Sequence, residues 1–109
     1  MERGDIYLVS SGEVENGRKP EIPVLIVSPS AFNEMVKVPI VVPVSPENHT
    51  VCTMGFAVRL SGQEILTKGI IRCDRPRALK LDSDNSRKLE SVPVNVIHDV
   101  LARLSTILE

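Results

Sequence analysis

Pro39-Ile-Val-Val-Pro-Val-Ser45 decides the reading of the fold: a continuous apolar run, rich in β-branched side chains, punctuated by proline and leaving through Ser45-Pro46. A run of this length and character is a strand buried on both faces, ending in a turn. Upstream, Pro23-Val-Leu-Ile-Val-Ser28 has the same make-up and also exits through Ser-Pro. Two such runs are not a repeat architecture, which needs three or more stacked units. Between them, Ser30-Ala-Phe-Asn-Glu-Met-Val36 is read as one or two helical turns with Ser30 as N-cap.

Working outward, residues 5–10 (DIYLVS) form a further strand between Gly4 and Ser11-Gly12. Residues 55–60 alternate, placing Phe56, Val58 and Leu60 on one face and Ala57 and Arg59 on the other. Residues 69–74 are the next strand, and residues 77–81 a short one after Pro76. The polar stretch 82–88 (DSDNSRK) is read as a mobile surface loop. Pro93 then opens a helix whose apolar residues Val94, Ile97, Val100, Leu101, Leu104, Ile107 and Leu108 recur at helical spacing. Short strands, proline stops and one late helix predict a mainly β (α+β) domain, a small, strongly bent antiparallel barrel or half-barrel with the helix packed on it.

At 109 residues and 42% apolar content the chain is sized for one domain, residues 1–109, with a single modest core. Cys52 and Cys73 are too few for a disulfide framework, and the start of the chain lacks the residue order of a signal peptide, so a reducing cytoplasm is expected. The apolar run through residues 38–44 falls far short of the roughly 20 residues needed to span a bilayer. A net charge of -1 argues against a nucleic-acid coat that works by neutralising many phosphates. The basic residues are nevertheless uneven: Lys68, Arg72, Arg75, Arg77 and Lys80 fall in one short stretch. Such a patch can steer an anion, although for a charge run alone solvated strand-edge residues are the simpler reading.

Chemistry is concentrated in Gly69-Ile-Ile-Arg-Cys-Asp74. The two-residue period of a strand puts Arg72 and Asp74 side by side on one face, with Ile71 and Cys73 on the other. Cleaving RNA without a metal requires a base for the 2′-hydroxyl, a fixed cation for the phosphorane and a proton for the departing 5′-oxygen. Arg72 and Asp74 supply two of the three. By spacing alone such a pair is usually a surface ion pair worth about 0–1 kcal/mol.

The residues quoted do not stand alone. The opening Met1-Glu-Arg-Gly-Asp-Ile6, the segments Pro23-Val-Leu-Ile-Val-Ser-Pro29, Val42-Pro-Val44, Gly55-Phe-Ala-Val58 and Gly69-Ile-Ile-Arg-Cys-Asp74, and the ending Arg103-Leu-Ser-Thr-Ile-Leu108 closely resemble the Kid/PemK toxins of the MazF family. The resemblance covers nearly the whole chain. It implies an SH3-like barrel, a cytoplasmic homodimer and a metal-independent, cofactor-free endoribonuclease. Such an enzyme cuts single-stranded RNA selectively to 2′,3′-cyclic phosphate and 5′-hydroxyl ends until an antitoxin blocks it. DNA would be met only through that antitoxin.

In residue terms the resemblance implies that Asp74 is the base and Arg72 the phosphorane stabiliser. Arginine's pKa above about 12 makes it a reluctant proton donor, which favours the electrostatic role. Ser45 matches a hydroxyl residue at the start of a substrate-facing loop, Phe56 and Ile70 match residues near bound RNA, and Asp5 matches an acid near the cleft. Lys68 and Arg75 join the RNA-binding candidates through the cationic stretch. For Phe56, stacking on a base and core packing beside Val58 and Leu60 are evenly weighted.

Two loops depart from the family pattern. Family members carry a first loop of the type Gly-His/Ser-Glu-Gln-x-Gly-x-Arg-Pro, with a catalytic histidine in the Kid/PemK branch. Here it reads Gly12-Glu-Val-Glu-Asn-Gly-Arg-Lys-Pro-Glu-Ile-Pro23, without histidine or glutamine. Arg18 and Lys19 restore positive charge there but are poor proton donors at neutral pH. The second loop, Pro46-Glu-Asn-His-Thr-Val-Cys-Thr53, introduces His49, whose ordinary pKa near 6.5 suits the missing acid role, against the alternative of an exposed loop histidine without a task. His49-x-x-Cys52 lacks the paired four-ligand spacing of a zinc site, so no metal is expected. A protein-poisoning toxin of the CcdB type, acting on gyrase, and a weakened toxin that still binds antitoxin are the competing readings. The tryptophan-free ending Ile107-Leu-Glu109 counts against the first of these, and the altered first loop is the support for the second.

Overall fold

The computed structural model describes residues 1–10, 20–46 and 55–108. Along these run β1 (Asp5–Ser10), β2 (Glu21–Ile26), α1 (Ser30–Val36), β3 (Ile40–Ser45), β4 (Ala57–Arg59), β5 (Ile70–Arg72), β6 (Arg77–Ala78), β7 (Ser86–Ser91) and α2 (Val94–Leu108). The strands form one antiparallel sheet in the order β4-β5-β3-β2-β1-β7, with β6 paired to β3. The apolar runs that opened the sequence reading therefore lie at its centre. Val24 stands opposite Pro43 and Leu25 opposite Val42. Among the described residues no helix is long and apolar enough to cross a membrane.

Burial explains why β2 and β3 read as unbroken apolar segments. Leu25, Val27, Val42 and Val44 enter a core shared with Ile6, Val58, Ile71, Cys73 and the α2 residues Val96, Ile97, Val100 and Leu104. On the opposite side of the sheet, Val24, Ile26 and Val41 pack with Val9 and Leu81. A strand covered on both faces has no position left for a polar side chain. Helix α2 lies along the first core, and its buried stripe is rotated from the expected one. Val96, absent from the sequence reading, is buried, while Val94 and Leu108 are exposed.

Three further expectations need correcting. Residues 82–88 do not form one surface loop: after a turn closed by Asp82 and Asn85, the chain enters β7, which pairs with β1 from Asp5 opposite Ser91. A polar, charged composition suits an edge strand, which has a row of backbone groups to protect from strangers, and this is why the stretch imitates a loop. Ser30 does not cap α1; Pro29 occupies that position and no side chain caps it. The strand expected over residues 77–81 is reduced to the two residues of β6.

Candidate active site at the end of β5

Strand β5 is held between β4 and β3, with Ile71 opposite both Val58 and Val44. Its start depends on Gly69, whose φ of +124° is costly for a side-chain-bearing residue. A Cβ there would collide with the Ser45 carbonyl oxygen. The absent side chain thus lets β5 approach the exit of β3, where Ser45 pairs with Ile70. At its other end the strand turns sharply. Cys73 donates its backbone N–H to the Phe56 carbonyl at 2.9 Å, and Arg75 donates to the Arg72 carbonyl at 3.3 Å.

That turn delivers the arrangement the period of two predicts. Ile71 and Cys73 are wholly buried in the core, and Arg72 and Asp74 stand on the outer side. The Arg72 guanidinium grips the carboxylate with two parallel bonds, Nε to Oδ1 at 2.9 Å and Nη2 to Oδ2 at 2.7 Å. Their side chains remain 15% and 34% exposed, so an incoming anion can reach the pair. The hydrogen bond from Arg72 holds the Asp74 carboxyl below the usual carboxylate range, and the same bond raises the guanidinium further. Burial pushes the Cys73 thiol up to about 11, so it stays a protonated core group and not a nucleophile.

Two cavities flank this edge. The larger, about 800 Å³, lies between the start of β2 (Glu21, Ile22, Pro23), the exit of β3 (Ser45, Pro46) and the β4–β5 connection, including Gln63, Thr67 and Lys68. The smaller, about 310 Å³, is lined by Ile22, Pro43, Ser45, Arg75, Pro76 and Arg77. Ile22 and Ser45 belong to both, so they form the divide between an open cleft and a recess bearing two arginines. Neither lining includes Arg72 or Asp74. The pair lies on the turn beside the recess, and the size of the larger cavity is no guide to where the reacting atoms would sit.

Of the expected site residues, the structure brings Arg72, Asp74, Arg75, Ser45 and Lys68 onto this edge, with Phe56 beside it, 38% exposed and bonded through its carbonyl to the Arg72–Asp74 turn. It does not bring Asp5. That carboxylate is buried at the start of β1, where it accepts from the Ser91 hydroxyl (2.8 Å) and the Glu2 N–H (3.1 Å) and pairs with Lys88 at 3.4 Å, so it ties β7 and the N-terminus to β1. Ile70 is wholly buried beside Ser45, its partner across β3 and β5, and offers no surface. His49, Arg18, Lys19 and Cys52 lie outside the described residues. Among the described residues, no three His, Cys, Asp or Glu side chains are grouped so as to hold a metal ion.

Sequence reasoning passed over Gly69 as a determinant of the site, and it passed over Arg103. The Arg103 guanidinium pairs with Asp99 at 2.9 Å and donates to the Gly55 carbonyl, fastening α2 to the residue before Phe56. A tight glycine-to-carbonyl approach and a helix-to-loop tether leave no local pattern in a sequence.

An antiparallel sheet covered by one C-terminal helix, with an arginine–carboxylate pair presented beside a recess lined by Arg75 and Arg77, defines the class: a small, mainly β protein with a compact cationic site. The sequence pattern of the PemK-like, MazF-like toxins of type II toxin-antitoxin systems matches residues 2–108, and the chain belongs to that family. It is 46% identical over 112 residues to the endoribonuclease PemK of Escherichia coli, covering 99% of this chain and 82% of that protein. Its fold matches MazF of Deinococcus radiodurans, with a TM-score of 0.80 at 21% identity over 99% of this chain and 96% of that one. It also matches a mycobacterial endoribonuclease solved with its cognate antitoxin, with a TM-score of 0.79 at 22% identity over 99% and 94% of the two chains.

Proposed function

We propose that this chain is the toxin of a type II toxin-antitoxin pair and acts as a metal-independent endoribonuclease on single-stranded RNA. The observation that carries the reading is the bidentate Arg72–Asp74 pair, exposed at the end of β5 in a chain 46% identical to an endoribonuclease. Asp74 takes the proton of the 2′-hydroxyl, and the 2′-oxygen attacks the adjacent phosphorus. Arg72 stabilises the charge gathering on the phosphorane oxygens. The P–O5′ bond breaks, the 5′-oxygen gains a proton, and the products are a 2′,3′-cyclic phosphate and a 5′-hydroxyl.

The resting geometry adds a condition to this scheme. A carboxylate held below its ordinary range is a weak base, so Asp74 must be partly released before it can accept a proton. A phosphate arriving at the turn competes for the guanidinium, draws Arg72 towards itself and lets the Asp74 carboxyl rise. Substrate binding therefore switches on the base. The guanidinium, raised by its partner, does not give up a proton, which leaves the third role to another group; His49 is the candidate. Arg75 and Lys68 take phosphates on either side of Ser45, and Phe56, which is partly exposed, stacks on a base. Asp5 and Ile70 act through the fold.

The toxin works in the cytoplasm as a homodimer, and an antitoxin segment of acidic character folds over the cationic edge to silence it. Relatives solved with their antitoxins support that partner. The test is incubation of purified protein, in chelator, with a long single-stranded RNA beside Asp74→Ala, followed by mapping of the ends. Discrete cuts that vanish in the variant are expected. Absence of cuts from well-folded wild type would transfer the case to a protein poison or an antitoxin-binding decoy, which a gyrase supercoiling assay separates.

A further inference from the structure

The two ends of the strand order, β4 and β7, are joined through one carboxylate. Glu90 of β7 reaches into the connection between β4 and β5. There its Oε1 and Oε2 accept from the Leu66 N–H at 3.0 and 3.1 Å, and Oε2 also accepts from the Thr67 N–H at 2.7 Å and the Thr67 hydroxyl at 2.5 Å. Burial alone would push this carboxyl up, but the bonds from the Thr67 hydroxyl and the two backbone N–H groups outweigh it and lower it below the usual range. The connection it seizes carries Thr67 and Lys68 into the lining of the larger cleft. The segment is fixed again just beyond Lys68, where Gly69 lies against Ser45 and its carbonyl accepts from Leu60 at 3.1 Å. Lys68 is thus an exposed cation on a backbone pinned from both sides.

We propose that Glu90 is a positioning residue for RNA recognition: its carboxylate clamps the β4–β5 connection to the far edge of the sheet and so sets Lys68 along the cleft to meet a substrate phosphate. This rests on the ribonuclease reading above. Glu90 does not touch substrate, and it acts through Lys68. A carboxylate suits the site because the Leu66 and Thr67 N–H groups can only donate, and its charge strengthens every bond it accepts. A glutamine with its oxygen in the Oε2 place would keep the Thr67 bonds but lose the charge behind them and turn its NH₂ group towards the Leu66 N–H. Freed of the clamp, the backbone that carries Lys68 loses one of its two anchors, and the cost falls on the bound complex and not on the chemistry at Arg72 and Asp74.

The experiment measures kcat and KM separately on a short RNA containing the protein's own cut site, for wild type, Glu90→Gln, Lys68→Ala and the double variant. Amide hydrogen exchange reports Leu66 and Thr67. Glu90→Gln is expected to raise KM about tenfold with kcat within about twofold, the pattern of lost ground-state binding. Exchange at Leu66 and Thr67 rises, and the double variant is no worse than Lys68→Ala, because the two residues act as a unit. Thr67→Val, which removes one bond of the clamp, gives a smaller rise and guards against misfolding of the charge variant. Unchanged KM in Glu90→Gln with faster exchange, or effects that multiply in the double variant, would overturn the clamp while leaving the ribonuclease intact. Wild type that cuts no RNA sinks both.

Discussion

Asp74 and Glu90 are two carboxylates near opposite ends of one strand order, both held below the ordinary carboxylate range, and for opposite purposes. Asp74 is paired with a cation that a phosphate can draw away. Glu90 is surrounded by backbone N–H groups and a hydroxyl of its own chain, three donors fixed in one segment where Asp74 has a single mobile guanidinium. What separates a reactive carboxylate from an architectural one is not how far its acidity is shifted but whether the substrate can remove the group that shifts it. A pair with an exchangeable partner is poised; a carboxylate saturated by backbone donors is committed.

The largest consequence of that difference lies at Asp74. Asp74→Asn preserves the shape and removes the base, and cleavage should fall about 10²- to 10⁴-fold, as for loss of a general base, with the thermal midpoint little changed. Single-turnover rates and a melting curve check both halves. Arg72→Lys keeps the charge but not the two-pronged grip, so kcat should fall about 10²- to 10³-fold with KM rising less. Equal cleavage by the lysine variant would reduce Arg72 to a point charge.

Smaller effects test the scaffold. Gly69→Ala forces a side chain into positive φ and against the Ser45 carbonyl, and should lower stability by about 1–3 kcal/mol in denaturant titration. His49→Ala should slow cleavage and remove any fall in rate above about pH 6.5, if His49 supplies the departing proton. Identical profiles would retire that role. Glu90 and Asp74, both lowered in the folded state, push the acid response in the same direction. A carboxyl lowered in the folded state contributes stability above its unfolded pKa and loses it as pH falls through the folded value. Stability should therefore be level near neutrality and decline below about pH 4, and Glu90→Gln should flatten that decline. A decline equally steep in the variant would show that Glu90 adds nothing to it.

The centre of the fold was legible because burial on both faces of β2 and β3 leaves an apolar signature that nothing else imitates. The edges were not. β7 is polar for the reason that it is an edge, and so its first half passed for a loop, while no pattern in the sequence singled out Glu90 beyond it. Asp5 was read by its place in a family pattern, while its surroundings make it a tie between β1, β7 and the N-terminus. The pair Arg72–Asp74 was legible by strand period, since residues two apart share a face. The contacts that place it, the close approach of Gly69 to the Ser45 carbonyl and the bond from the Cys73 N–H to the Phe56 carbonyl, join segments distant in sequence and follow no spacing rule.

The scheme stands or falls on the 2′-hydroxyl as nucleophile under the control of Asp74. The direct measurement is cleavage, in chelator, of two RNAs that differ by a single 2′-deoxy nucleotide on the 5′ side of the mapped cut. The intact RNA should yield a 2′,3′-cyclic phosphate, and the deoxy substrate should bind equally well and remain whole. Cleavage of the deoxy substrate at the same bond would contradict the account, because it would show that the nucleophile comes from elsewhere and that Asp74 has no 2′-proton to take.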